Sequence, residues 1–142
     1  MIAISYNDTV DHVMQCDRDR PQEEQTVFLL KPLPHSVQRK FLNMIGSNMQ
    51  VLEDFARAAE SGDEVPDMAS LPLGEMIDSI VPAGLAGWRN FKDAKGNEIV
   101  WKGNGKGCME SELLERFNLA ALVELVGAII NRAFLSEEDR KN

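Results

Sequence analysis

Two histidines and two cysteines, His12, His35, Cys16 and Cys108, make up the ligand count of a structural zinc site. Their spacing does not. The chain has no Cys-x₂₋₄-Cys pair and no His-x₃₋₅-His pair, the short separations that let two ligands reach one tetrahedral ion. His12 and Cys16 are four apart and would share a face only if that stretch were helical. Gly103-Asn104-Gly105-Lys106-Gly107 has the glycine content of a phosphate cradle. It lacks the Gly-x₄-Gly-Lys-Ser/Thr order, and Cys108 stands where a hydroxyl is wanted, so it reads as a loop. Asp93 and Glu98 flank a Lys-Gly-Asn turn. Two carboxylates do acid–base work when burial separates their pKa values, and beside such a turn they read as solvated residues. No Ser/His/Asp or Cys/His constellation can be assembled. The expectation is a nonenzymatic protein with no cofactor, no metal and no catalytic residue.

The elements around these residues follow from periodicity. The 142 residues are 44% apolar with a net charge of −8, which fits one domain that needs no disulfide or metal to hold its core. The negative charge argues against binding nucleic acid or an anionic membrane, and no apolar run reaches the roughly 18 residues of a span. The N-terminus has no basic region followed by a long apolar one, so reduced thiols and a cytoplasmic setting are expected. Residues 1–33 read as an extended region. Ile2, Ile4 and Tyr6 alternate as in a short strand, Val10, Val13 and Met14 suit either a helical turn or an extended piece, and 26–33 is the strongest strand pattern. Its continuous apolar character suggests burial on both faces, paired with the N-terminal strand or with a later hairpin. Pro32 and Pro34 stop it.

Two long helices are expected. Val37, Phe41, Met44, Ile45, Met49, Leu52, Phe55, Ala56 and Ala59 form an amphipathic stripe over 36–60, about 37 Å long, opened by Ser36, interrupted at Gly46 and closed by Gly62. The stripe makes Met44 and Met49 core residues. Residues 63–72 are a connecting loop, and 73–81 a short helix before Pro82. Residues 84–101 read as a β-hairpin turning at Lys95-Gly96-Asn97, with Trp88 and Phe91 before the turn and Ile99 and Trp101 after it. The second long helix, over 111–134 with Ser111 as N-cap, carries Leu113, Leu114, Phe117, Ala121, Leu125, Val126, Ile129 and Ile130. Leu119, Leu122 and Val123 widen its stripe, so it is either central or has a second side against a partner. The fold class is α+β, mostly helical, with a short N-terminal strand pair and a β-hairpin between the long helices.

Three stretches resemble a group of small tailed-bacteriophage and prophage morphogenesis proteins. They are Glu24-Gln25-Thr26-Val27-Phe28-Leu29-Leu30-Lys31-Pro32-Leu33, Gly87-Trp88-Arg89-Asn90-Phe91-Lys92-Asp93-Ala94-Lys95-Gly96-Asn97-Glu98, and the ending Leu135-Ser136-Glu137-Glu138-Asp139-Arg140-Lys141-Asn142. The resemblance implies a tail assembly chaperone acting in the host cytoplasm or, alternatively, a structural virion subunit of the neck, tail or capsid. Its implied partners are phage tail or other virion proteins, and the wide second helix makes a homo-oligomer plausible. The apolar face expected to hold a partner is Leu119, Leu122, Val123 and Val126, with Trp88 and Trp101 near it.

Overall fold

The computed structural model describes residues 8–46, 49–61 and 71–135. The N-terminal strand expected at Ile2, Ile4 and Tyr6, the cap at Gly62, most of the 63–72 loop and the ending from Ser136 lie outside these residues.

Three strands form one antiparallel sheet in the order β1-β2-β3. β1 is Val10–Val13, so the ambiguous stretch is extended. β2, Val27–Leu30, lies in the centre, and β3 is Leu85–Arg89. Val10 pairs with Leu30 and Val13 with Val27, while on the other side Phe28 faces Trp88 and Leu30 faces Leu85 across a bulge. Of the two partners expected for β2, the stretch leading into the expected hairpin pairs with it as β3, its other neighbour is β1, and the N-terminal strand at Ile2, Ile4 and Tyr6 lies outside the described residues. Its burial alternates, with Phe28 and Leu30 nearly inaccessible and Val27 and Leu29 only partly covered. The expectation of burial on both faces is therefore corrected: the apolar run meets a core on one side only.

The first long helix is two helices. α1, His35–Ile45, starts from Pro34, whose carbonyl accepts from the amides of Val37 and Gln38. Pro34, not Ser36, is its N-cap residue. Gly46 ends it with φ +59°, a left-handed value that a side chain resists, and its amide donates to the Leu42 carbonyl. α2, Met49–Ser61, follows. The buried stripe survives the break, as Phe41 and Ile45 before it and Leu52, Phe55 and Ala56 after it are all inside.

α3, Leu73–Gly84, runs through Pro82 and feeds directly into β3. The Gly84 carbonyl accepts from the Lys31 amide, which fastens the helix end to the end of β2. The second long helix is also divided. Ser111–Arg116 is a 3₁₀ segment, Phe117 is extended, and α4 runs Leu119–Ile130 before a π turn at Asn131–Leu135. The start moves from Ser111 to Asn118 because the Asn118 side chain accepts from the Ala121 amide at 2.8 Å and satisfies an otherwise orphaned donor. α4 packs against both α2 and α3. Leu125, Val126, Ala128, Ile129 and Ile130 are all inaccessible or nearly so, which makes α4 the central helix. A Cβ on Gly84 would lie 2.8 Å from Ile129 Cγ2, so the missing side chain lets α3 close onto α4. The architecture is the expected α+β, mostly helical fold.

Candidate functional site

The four zinc-type residues do not assemble. His12 lies on β1, His35 opens α1, Cys16 is exposed in a 3₁₀ turn, and Cys108 is half-buried in a distant loop. Because residues 10–13 are a strand, His12 and Cys16 share no helix face. Among the described residues no group of three or more His, Cys, Asp or Glu side chains is placed to hold a metal. The Cys16 thiol is pushed above its ordinary pKa by partial burial, then by the charges of Asp17 and Glu124. That lowers its thiolate fraction and makes it a poor nucleophile.

His12 has a different partner. Its Nε2 is 2.7 Å from Glu124 Oε2, and the carboxylate also accepts from the Gln15 amide at 3.2 Å. The histidine is 7% exposed and the Glu124 side chain 12%. A carboxylate leaves water at this depth only when donors replace the lost solvent. The arrangement ties β1 to α4 across 112 positions of sequence. Sequence reasoning missed it. The available signal was one acid, Glu124, inside the apolar run Leu119–Ile130.

Asp93 and Glu98 also separate. The Asp93 side chain accepts from the amides of Lys95 and Asn97, and the Asp93 amide donates to the Asn97 carbonyl. Asn104 repeats the pattern: its side chain accepts from Lys106 and Cys108, and its amide donates to the Cys108 carbonyl. Gly96 and Gly107 occupy the same place in the two turns, each with φ +84°. Asp93-Ala94-Lys95-Gly96-Asn97 and Asn104-Gly105-Lys106-Gly107-Cys108 are thus twin turns, each closed by a side-chain oxygen at its first residue and a left-handed glycine at its fourth. Bridges Lys92↔Glu98 and Gly103↔Met109 close their bases. The supposed phosphate cradle is the second twin. The hairpin expected over 84–101 contracts to the first, because Gly84 belongs to α3 and Trp88 to β3, which pairs with β2.

The expected partner face divides into three parts. Trp88 and Trp101 line one depression of about 380 Å³ with Phe91, Ile99 and Val100. Their polar ends are occupied: Trp88 Nε1 donates to the Ile99 carbonyl at 2.6 Å, and Trp101 Nε1 to the Leu85 carbonyl at 3.2 Å. Trp88 also meets Phe28, Phe91 and Phe117 edge-on. Both tryptophans serve the fold first, since a buried indole needs an acceptor and aromatic neighbours. Val126 is fully buried and Val123 half-buried, and neither is among the residues that line the α3–α4 groove with Leu119. Including Val126 in a partner face is corrected, because α4 turns that position into the core. Leu119 and Leu122 do come together, in a groove of about 620 Å³ between α3 and the start of α4. Ile77, Leu114 and Phe117 add apolar lining, and Asp78 and Glu115 add negative charge. Leu119 is 68% exposed at this groove.

No family model, no curated protein and no solved structure matches the chain. Among the described residues no helix is long and apolar enough to cross a membrane.

Proposed function

We propose that this chain is a nonenzymatic morphogenesis factor of a tailed bacteriophage, a tail assembly chaperone that holds a tail protein by apolar contact before polymerisation. The observation that carries the docking part of this reading is the α3–α4 groove. One exposed leucine is ordinary on a protein surface, but Leu119 continues into an apolar lining formed by Ile77, Leu114, Phe117 and Leu122. Covering such a side chain is worth about 1.5–3 kcal/mol, which a partner's apolar segment would supply. Asp78 and Glu115 favour a segment flanked by lysine or arginine. The phage assignment rests on the resemblance of the strand, turn and terminal motifs.

Co-expression with the tail tube and tape-measure proteins tests the proposal. The expected result is capture or increased solubility of one of them, lost in Leu119→Lys. Failure of the wild-type chain to bind or solubilise either one sinks it.

The alternative reading, a virion subunit, draws on a second apolar surface: Val100, 67% exposed beside the tryptophan depression, would let the chain be gripped on two sides as in an assembled particle. Mass spectrometry of purified particles separates the two. Stoichiometric presence favours the subunit, and absence favours the chaperone.

A further inference from the structure

We propose that Asn104-Gly105, in the second twin turn, is a site of spontaneous covalent modification: the Gly105 amide nitrogen attacks the Asn104 side chain, ammonia leaves, and the turn accepts one of the two acidic products and not the other. This does not rest on the function proposed above. The sequence holds one Asn-Gly pair, and it is this one. Both residues are exposed. Gly105 has φ +81°, and a Cβ built on it would meet nothing within 4 Å, so no side chain of its own and no neighbour on that side covers its nitrogen.

The Asn104 side chain is held by its oxygen. Oδ1 accepts from the Lys106 amide at 2.7 Å and from the Cys108 amide at 3.3 Å. Negative charge gathers on that oxygen when the carbonyl carbon is attacked, and N–H groups already aimed at it stabilise the charge as an oxyanion hole does. Among the described residues Nδ2, the nitrogen that must leave, has no hydrogen-bond partner. The remaining described asparagines differ on both counts. Each precedes a residue that carries a side chain. Asn90 Nδ2 donates to the Glu23 and Gln25 carbonyls, Asn131 Nδ2 donates to the Ala56 carbonyl, Asn118 caps α4, and Asn43 lies inside α1.

The step balances without an oxidant, a reductant or a second protein. The Gly105 nitrogen gives its proton to solvent and bonds to Asn104 Cγ. The Cγ–Nδ2 bond breaks, Nδ2 departs as ammonia, and a five-membered succinimide remains. Water then opens the ring. Cleavage between Cγ and nitrogen yields aspartate. Cleavage between the main-chain carbonyl carbon and nitrogen yields isoaspartate, in which the chain runs through the former side chain. One water is consumed and one ammonia released.

The first twin turn shows what the aspartate does. Asp93 accepts from Lys95 and Asn97 as Asn104 accepts from Lys106 and Cys108, so a carboxylate fills the place of the amide oxygen. Isoaspartate lengthens the backbone by one carbon at the residue whose short side chain closes the turn, and those two bonds cannot both form. The loss reaches further, because the Lys31 ammonium donates to the Gly107 carbonyl at 2.6 Å and fastens this turn to the end of β2.

Incubation of the full chain in mildly alkaline buffer at body temperature, followed by Glu-specific digestion and mass spectrometry, tests the proposal. The peptide Ile99–Glu110 should show the mass gain of amide-to-acid conversion about tenfold faster than the peptides carrying Asn90, Asn97, Asn118 or Asn131. Asn104→Gln should abolish that gain, because attack through the longer side chain no longer closes a five-membered ring. Hydrogen exchange of the incubated chain then separates the products, whose peptic peptides resolve by chromatography. In the aspartate form the Lys106 and Cys108 amides should exchange as in the untreated chain and in Asn104→Asp. In the isoaspartate form they should exchange about fivefold faster. An Ile99–Glu110 peptide that stays unconverted, or converts no faster than the others, overturns the proposal. So does a gain that persists in Asn104→Gln, or two products whose amides exchange alike.

Discussion

The two halves of α4 invert the usual rule in opposite ways. Its first residue, Leu119, is apolar and 68% exposed, while Glu124, a turn and a half further on, is charged and 12% exposed. The acid is inside because His12 Nε2 and the Gln15 amide stand where water would be. The leucine is outside because the chain bends away at Asn118 and leaves the groove beside it open. An exception that is satisfied internally serves the fold. An exception that the chain leaves open to solvent is, in the function proposed above, where a partner would sit. The same contrast separates the tryptophans, whose indoles are hydrogen-bonded within the chain, from Val100 beside them.

The largest effect should come from breaking the internal exception. Glu124→Ala strands His12 in a low-dielectric site and should lower unfolding free energy by about 2–4 kcal/mol in urea titration. His12→Leu combined with Glu124→Leu should recover most of that loss, as a double-mutant cycle would read. Next comes the contact that seats α3 on α4. Gly84→Ala places a methyl 2.8 Å from Ile129 Cγ2 and should cost about 1–3 kcal/mol by thermal unfolding. In an Ile129→Ala background the same change should cost less, because the opposing side chain is gone. The twin turns come third. Asp93→Ala and Asn104→Ala each remove an acceptor for two amides and should each cost about 1 kcal/mol, with amide exchange rising only around the altered turn. The smallest effect concerns Cys16. In a Cys108→Ser background near pH 8, its alkylation should be slower in the folded chain than in urea. The raised pKa keeps the thiol protonated where an unfolded thiol has begun to ionise.

Much of the fold was legible because its elements are locally coded. The β-branched and aromatic run at β2, the stripe through Phe41, Ile45, Leu52, Phe55 and Ala56, and the turn at Gly96 all mark structure within a few residues. The breaks were harder to see. A helical stripe continues in phase across Gly46, and the apolar positions on both sides of Phe117 match one period, so periodicity alone joins segments that the backbone separates. The caps at Pro34 and Asn118 carry that information, and Ser36 and Ser111 compete with them as plausible starts. The site was less legible than the fold. Leu119 and Leu122 were identified, but which side of α4 faces α2 and α3 depends on long-range packing, so Val126 could not be distinguished from them. Glu124 and His12 are 112 positions apart, and no local pattern connects them. The repeated Asx-x-Lys-Gly turn is plain once its hydrogen bonds are known, yet four residues are too few to announce a repeat.

In the proposed function the exposed end of α4 serves contact with a partner, while its buried acid serves the fold. The most direct measurement is Leu119→Lys, followed in one preparation by urea unfolding and by capture of the co-expressed tail protein. Unfolding free energy should stay within about 0.5 kcal/mol of wild type while capture is lost. A large loss of stability, or capture that survives unchanged, would contradict the account.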